Sequence, residues 1–345
     1  MQKPAAPPDL APLPRDHPLE DELAQALPDR RTTLGVLLRR WALRLIPLVL
    51  LGAAVYVLWR DYHHLSPGEI AAEIRRWGSA DIAAALVLSA LSFLLMGVVE
   101  KVGLTWMGAR LPWGPTLSTA FIANAIAHAL GANLLVSGAV RARLYDRYGV
   151  SLTQVAGATL FQGFSFAVGI STLAGAGLLL ASPQALAASA IATPVARTAG
   201  MVLLSGVAAY LLACAFHRRP LHAFGRTLVL PSPGKALIQL SVGAADNATA
   251  CAIIWILLPP DTVDYLAFVG AYAIACVAGL ISTVPAGAGV FEGSLSALLP
   301  KAPPAALAAA FLGYRLAYFL LPLLVAVLAL AGLTLRRPRA GEGRP

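Results

Sequence analysis

Apolar stretches of about 20 residues recur along this 345-residue chain, and they restrict the folds that it can adopt. Eight such stretches cover roughly 41–59, 81–99, 115–133, 153–181, 197–216, 236–258, 265–284 and 305–334. A helix of about 20 apolar residues spans the hydrocarbon core of a bilayer, where the backbone must satisfy its own hydrogen bonds. Only 12% of the residues are charged, against about 25% in soluble domains. The sequence therefore predicts an all-α polytopic membrane protein.

The basic residues predict the topology. The net charge is +9, but the arginines and lysines lie beside apolar segments, which is the positive-inside pattern and not a nucleic-acid-binding surface. Both the N-terminus and the 217–235 loop, which has four basic residues and no acid, should face the cytoplasm, whereas the uncharged 182–195 loop suits the outside. Eight plain crossings would place the 217–235 loop outside. We therefore predict six spans and two re-entrant hairpins, one at 115–133 and one over 265–300, with both termini cytoplasmic.

The chain divides into three predicted parts. Residues 1–34 are rich in proline and acids, lack the apolar region of a signal peptide, and are expected to form a disordered cytoplasmic tail. Residues 35–335 form the membrane domain, and 336–345 form a basic cytoplasmic tail without a following catalytic domain. Within the membrane domain, Ser66-Pro67-Gly68-Glu69 has the composition of a helix start and predicts a short interfacial helix over 67–77.

A weak internal repeat supports the two hairpins. The triplet Ala-Ile-Ala occurs at 125–127 and again at 273–275, and Gly131 matches Gly279 in the same alignment. If both hairpins follow the predicted topology, the two halves run in opposite directions through the membrane. Inverted repeats with interrupted helices near the midplane are typical of transporters.

Four motifs carry a resemblance to a known family. The runs SGAVRARLY at 137–145, FQGFSF at 161–166, VPAGAGVFE at 284–292 and YRLAYFLLP at 314–322 resemble the flippase domain of bacterial lysylphosphatidylglycerol synthase/flippases, also called multiple peptide resistance factors. The resemblance covers about 40–335. It implies a bacterial inner-membrane domain that flips aminoacylated phosphatidylglycerol, and stand-alone members are linked to other lipids, including hopanoids and polyprenyl-linked lipids. The family's cytosolic aminoacyltransferase domain has no counterpart here, so lysyl transfer is not expected. The family's tyrosine-aspartate pair near the end of the second helix is replaced by Val99-Glu100, so the resemblance does not identify the headgroup of the lipid.

Charges within apolar segments are the first candidates for a site, because burying them is costly without a partner or a cavity. Asp246 is either polar glue between helices or a cavity-facing acid that binds a cationic headgroup or a proton. Arg315, flanked by Tyr314 and Tyr318, either pairs with Asp246 or Glu292, or binds a lipid phosphate through its guanidinium fork.

The two hairpins supply the remaining candidates. Arg141 and Arg143 follow Gly138, where we predict a hairpin turn and the start of a short helix whose amides face a lipid phosphate; the alternative is that both arginines only extend to the membrane surface. The second hairpin turn is predicted at Pro285, Gly287 and Gly289, followed by Glu292. Further candidates for lipid binding are the polar residues Asn124, His128 and Glu100.

Lipid translocation is the function that these features predict. The substrate would be a membrane lipid with a phosphate headgroup, such as a phospholipid, an aminoacylated phosphatidylglycerol or an isoprenoid lipid, and no metal, cofactor or nucleic acid is expected. Two alternatives remain open. A membrane-embedded transferase would use Glu100, Glu292 or His128, and a scaffold would bind lipid-biosynthesis enzymes. A polar cavity favours translocation, whereas a solid core favours a scaffold.

Overall fold

The computed structural model describes residues 66–130, 133–217, 221–223, 226–228, 230–282, 287 and 289–335. The first apolar segment, 41–59, and the predicted tails, 1–34 and 336–345, lie outside these residues. Within them, the helices are α1 Pro67–Arg76, α2 Ser79–Trp106, α3 Trp113–Leu130, α4 Asn133–Tyr145, α5 Leu152–Leu180, α6 Pro183–Ala188, α7 Thr193–Phe216, α8 Pro233–Leu257, α9 Tyr265–Ile281, α10 Val290–Leu298, α11 Pro304–Tyr314 and α12 Leu321–Leu335. A π-helical segment, Arg315–Leu320, joins α11 to α12, and a small antiparallel ribbon pairs β1 Leu221–Ala223 with β2 Arg226–Leu228.

Long apolar helices confirm the all-α polytopic class. Among the described residues, α2, α5, α7, α8 and the continuous helix from Pro304 to Gly332 are long and apolar enough to cross a membrane. These helices coincide with predicted segments, although α2 continues to Trp106, past the predicted end at residue 99. The number of crossings stays a prediction.

The predicted hairpin at 115–133 falls on one continuous helix, α3, which pairs with the following helix α4, whereas the predicted hairpin over 265–300 covers the helix pair α9–α10. We call the pairs α3–α4 and α9–α10 the first and second hairpins. Helices α3 and α4 are separated by two residues and pack on each other, and α9 packs on α10. The 13 residues of α4 and the 9 residues of α10 give lengths of about 20 and 14 Å, well short of the roughly 30 Å of a hydrocarbon core. These lengths are those expected of re-entrant segments.

The order of elements repeats, as the sequence similarity suggested. A long helix, a hairpin and a second long helix occur as α2, α3–α4 and α5, and again as α8, α9–α10 and α11–α12. The contacts are exchanged between the halves, because α3 packs against α12 and α9 packs against α5. Helices α2 and α8, the equivalent first members, pack against each other at the centre. This reciprocity supports the repeat; its inverted orientation stays a prediction.

Helix α1 forms where the capping pattern predicts it. The Ser66 hydroxyl accepts a hydrogen bond from the backbone N–H of Gly68 at 3.2 Å, and Pro67 occupies the first turn. Immediately after α1, the indole N–H of Trp77 donates to the carbonyl of Leu257 at 3.0 Å, and its ring lies beside Gly313. The connector is thereby attached to the C-terminal end of α8 and to α11.

Helices α5 and α8 cross at a pair of glycines. A Cβ atom added to Gly169 would overlap the Gly243 carbonyl group, and one added to Gly243 would overlap the backbone of Ser165. Small residues at a helix crossing allow the backbones to approach closely, which drives association where lipid replaces water.

We therefore expect Gly169→Ala to lower the free energy of unfolding by about 1–3 kcal/mol, the usual cost of overfilling a packed interface. Gly206→Ala in α7 is the matched control, since nothing lies within 4 Å of its added Cβ, and alanine favours a helix interior by about 1 kcal/mol. Thermal unfolding in detergent measures both. Equal midpoints for the two variants would contradict a tight crossing at Gly169.

The topology gives a second prediction. Residues 140–148 and 217–235 should face the cytoplasm, and 182–195 and 259–263 should face outward, because the basic residues are distributed in that way. Asp146 and Gln184 are both exposed, so a single cysteine at either position, in a background without Cys214, Cys251 and Cys276, should react with a membrane-impermeant maleimide from one side only. Labelling of residue 146 from outside the cell would contradict the first hairpin.

Candidate functional site

A cavity of about 180 Å³ lies at the meeting point of the two hairpins and the central helices. Residues of α2, α3, α5, α8, α9, α10, α11 and the π segment line it, so both halves of the repeat contribute. Its charged and polar lining includes Asp246, His128 and Arg315, and the hydroxyl-bearing rings of Tyr272, Tyr314 and Tyr318 also contribute. The structure thus brings together five of the residues that the sequence had proposed for lipid binding.

Asp246 is both hydrogen-bonded and exposed to the cavity. It is 8% exposed, on the face of α8 that packs against α2. The Ser92 hydroxyl donates to its Oδ1, and the Ser92 and Tyr318 hydroxyl oxygens lie 2.9 Å apart. Since serine has one hydroxyl proton, Tyr318 then donates to Ser92, and a chain of hydrogen bonds runs from Tyr318 to the carboxylate. No ion pair of Asp246 occurs within the part of the chain that the structure describes. Asp246 thus joins two helices and also lines the cavity; its binding of a headgroup or a proton stays a prediction.

Arg315 pairs with Glu292 at the edge of the second hairpin. Its Nε and Nη2 donate to Glu292 Oε1 at 2.9 and 2.5 Å, and the backbone N–H of Gly289 donates to Oε2 at 2.9 Å. Glu292 therefore serves as the capping acid of α10 and as the partner of Arg315. The guanidinium group also lies 4.7 Å from the Phe319 ring centre. Arg315 is 7% exposed and contributes to the cavity wall, so the predicted ion pair does not exclude a contact with a ligand.

Aromatic rings form much of the rest of the wall. Tyr314 and Tyr318 stack with ring centres 5.3 Å apart and an interplanar angle of 13°. His128 of α3 lies 5.5 Å from Tyr318 and 6.0 Å from Phe319, again between ring centres. Its Nδ1 is buried and has no hydrogen-bond partner among the described residues. A buried imidazole nitrogen without a partner is costly, so it is a candidate contact for a ligand polar group.

A second polar network ties the first hairpin to the long helices. Arg141, only 1% exposed, donates from Nε to Glu100 Oε2 at 2.7 Å. Its Nη2 donates to Asn124 Oδ1 at 3.2 Å and also to Gln162 Oε1. Tyr145 donates to the other Glu100 oxygen at 3.1 Å. One arginine thus connects α2, α3, α4 and α5.

Burial changes the interpretation of the two arginines. Arg141 does not extend to the membrane surface, because three protein side chains surround its guanidinium group. Arg143 is exposed, as expected for an arginine that only marks the surface. Phosphate binding by either residue stays a prediction, and the geometry of Arg141 favours a structural ion pair instead.

The predicted turn at Gly138 is wrong. Helix α4 begins at Asn133 and runs through Gly138 to Tyr145, so no helix starts at 138–139 and its amides cannot face a phosphate there. A single glycine costs a helix only about 1 kcal/mol, which the neighbouring leucines and alanines offset.

The second predicted turn is only partly described. Gly287 and Gly289 have φ angles of +62° and +81°, a conformation that glycine adopts without strain. Gly289 is the N-cap of α10. Pro285 lies outside the described residues.

Two residues at these sites were missed by sequence reasoning. Ser92, which connects Asp246 to Tyr318, is a single serine in an apolar helix and is not distinguished by any pattern. Gln162 lies in the FQGFSF motif and is polar in the middle of a predicted span, a signal that could have identified it. Its Nε2 donates to Asn124 Oδ1 at 3.0 Å.

Comparison with known proteins identifies the family. The profile of a family described as the lysylphosphatidylglycerol synthase TM region matches residues 44–326. The chain belongs to this family. Two relatives are similar to this chain over most of their lengths. An uncharacterized protein of Synechocystis sp., slr0712, is 29% identical over 297 residues, which are 84% of this chain and 92% of that protein. The inner membrane protein YbhN of Escherichia coli (strain K12) is 30% identical over 267 residues, 74% of this chain and 80% of YbhN.

The family confirms the resemblance carried by the four motifs. The matched profile is the membrane region of the synthase alone, and the described helices are those of a membrane protein. Membership of this family supports a lipid-related role of the chain in the membrane.

Proposed function

We propose that this protein moves a lipid with a phosphate headgroup between the leaflets of the inner membrane. The observation that carries the proposal is the cavity between the two hairpins, because it places charged and hydroxyl groups within a bundle of apolar helices. The main barrier to unassisted movement is the loss of hydration around the polar headgroup. Asp246, Arg315 and the surrounding hydroxyls would replace that hydration.

Arg315 is the proposed phosphate-binding group. A guanidinium group presents five N–H donors in a planar fork that matches phosphate oxygens. Two of these donors are directed to one oxygen of Glu292, and the side chain forms part of the cavity wall. A lipid phosphate in the cavity would share or replace Glu292 as the acceptor. The ion pair would keep the arginine oriented when no lipid is bound.

The acyl chains would remain in the bilayer during movement. The cavity volume of 180 Å³ corresponds to about six water molecules in the liquid, which suits a phosphate group with a small substituent. The outer surfaces of the helices are strongly apolar; for example, Leu135 is 82% exposed and Leu180 is 69% exposed. These surfaces would accommodate the chains while the headgroup passes through the polar centre.

Reconstitution tests the proposal. The purified protein is placed in vesicles that carry a trace of fluorescent lipid with a phosphatidylglycerol, phosphatidylethanolamine or polyprenyl phosphate headgroup. Dithionite then bleaches the label of the outer leaflet. We expect bleaching beyond the outer-leaflet share for at least one of these lipids, because translocation brings inner-leaflet label to the surface. Bleaching equal to that of protein-free vesicles for all three would refute the proposal.

The same vesicles distinguish the alternative functions. A membrane-embedded transferase would change the mass of a lipid in the presence of a donor substrate, which mass spectrometry of the extracted lipids detects. A scaffold would change neither the mass nor the distribution of the lipids. The polar cavity is the feature that favours translocation over a scaffold.

A further inference from the structure

We propose that Asp246 carries one proton with each anionic lipid that moves, so that a pH difference across the membrane drives the lipid to one leaflet. The inference rests on the proposed function and adds its energy source. It starts from the charges of the cavity. Arg315 and Glu292 compensate each other at 2.5 Å, whereas Asp246 has no cationic partner among the described residues.

The titratable groups near Asp246 come from the helices that surround the cavity. On α5, which packs against α8, residues 152–180 contain no titratable side chain. On α2, the nearest titratable residue is Glu100, eight positions beyond Ser92, where it is held by Arg141. The titratable and charged groups that share the cavity or its wall are His128 of α3, Tyr272 and Cys276 of α9, Glu292 of α10, Tyr314 of α11, and Arg315 and Tyr318 of the π segment. Arg315 is the cation of this set, and Glu292 binds it.

A proton is the ion that fits this arrangement. Among the residues that the structure describes, the Ser92 hydroxyl is the hydrogen-bonded neighbour of the Asp246 carboxylate, and a chain of hydroxyls continues to Tyr318. Hydroxyl groups can donate or accept, so the chain can reverse its direction when the acid gains or loses a proton. His128, with its unpartnered Nδ1, contacts the Tyr318 ring from the opposite half of the repeat. Buried acids and histidines arranged in this way are typical of proton relays in membrane transporters.

The charge of the lipid links the two binding events. An anionic phosphate in the cavity adds a second negative charge beside Asp246, and like charges at close range cannot both be accommodated in an apolar interior. Protonation of Asp246 removes the conflict. By thermodynamic linkage, a bound lipid raises the affinity of Asp246 for a proton by the same factor by which a bound proton raises the affinity of the cavity for the lipid. The pair crosses without net charge, as a symport.

The test uses the full chain in phosphatidylcholine vesicles with a trace of fluorescent phosphatidylglycerol. Without a pH difference, the label should equilibrate between the leaflets. With a difference of one pH unit, it should accumulate in the leaflet that faces the alkaline side, up to about tenfold for one proton per lipid. Reversing the pH difference should reverse the accumulation. Because this ratio is an equilibrium property, the random orientation of the protein does not affect it.

Variants assign the effect to Asp246. Asp246→Asn should abolish the accumulation, and Asp246→Glu, which retains the acid, should preserve it. Asp261→Asn is the matched control, because Asp261 is exposed on a loop with a φ of +60° that asparagine tolerates. It should behave like the wild type. A pH-sensitive dye in the lumen gives a readout independent of any variant, since unlabelled phosphatidylglycerol added to the outer leaflet should acidify the lumen.

The outcomes separate this inference from the proposed function. Equilibration without accumulation, full accumulation with Asp246→Asn, or a lumen that does not acidify would each overturn proton coupling and leave lipid translocation intact. Absence of phosphatidylglycerol equilibration in wild-type vesicles would overturn this inference, and the proposed function would fall with it only if the other two fluorescent lipids also fail to equilibrate.

Discussion

Replacing Arg141 by alanine is expected to lower the free energy of unfolding by about 3–5 kcal/mol, because the buried Glu100 carboxylate would then lack a cationic partner. Glu100 is fully buried, and Arg141 is its ion-pair partner at 2.7 Å. The change would also remove the donor to Gln162 Oε1 and one of the two donors to Asn124 Oδ1, which would loosen the first hairpin. Arg141→Lys should recover only part of this stability, since one ammonium group cannot reproduce the fork that meets three side chains.

Two further variants isolate the ion pair. Arg143→Ala on the same helix removes an exposed arginine, so it should unfold like the wild type. The double variant Glu100→Gln with Arg141→Met removes both charges, and it should be more stable than Arg141→Ala because no buried charge is left alone. Thermal unfolding in detergent ranks the stabilities of the four variants against that of the wild type. A midpoint for Arg141→Ala equal to that of Arg143→Ala would show that the network does not hold the hairpin.

Replacing Arg315 by lysine is expected to slow lipid translocation by about tenfold to a hundredfold. The variant retains a positive charge beside Glu292 but loses the planar fork that would bind the lipid phosphate. A hydrogen bond to a charged group contributes about 1.5–3 kcal/mol, and the loss of one such bond corresponds to the expected decrease in rate. The thermal midpoint should stay near that of the wild type, because Glu292 keeps a cationic partner and Gly289 still donates to it. The bleaching assay with fluorescent lipids measures the rate.

The same substitution elsewhere provides the control. Arg76 pairs with Glu73 on the surface, and its side chain is 70% exposed, so Arg76→Lys should leave the rate unchanged. A wild-type rate for Arg315→Lys would reduce the role of Arg315 to neutralising Glu292. If Glu292→Gln with Arg315→Gln were then equally active, neither charge would take part in translocation.

Much of the fold was predictable because a bilayer leaves few choices. Apolar length predicts the positions of the spans, and the distribution of basic residues requires that two segments not cross. The short lengths of α4 and α10 are consistent with that requirement. The capping pattern at Ser66 predicted α1 because local hydrogen bonds decide where a helix begins. Each of these features depends on residues close together in the sequence.

The site was less predictable because its contacts join distant parts of the chain. Asp246 and Arg315 stand out as charges in apolar segments, so both were identified. Ser92 contacts Asp246 from 154 residues away, and nothing in its own surroundings marks it. Arg141 was predicted to meet a lipid phosphate, with extension to the membrane surface as the alternative, but Glu100, 41 residues earlier, binds it inside the protein. Composition shows that a charge is present and does not show its partner.

The π segment in the last span has a consequence for the length of that helix. A π turn closes its hydrogen bonds one residue later than an α turn, so Arg315–Leu320 accommodates one residue more than a regular helix would. If the same residues were wound as a regular α-helix without a deletion, α12 would rotate relative to α11 by about 100°. The face of α12 that packs against α3 would then turn away from the first hairpin. The extra residue held by the π segment therefore sets which face of α12 meets the first hairpin.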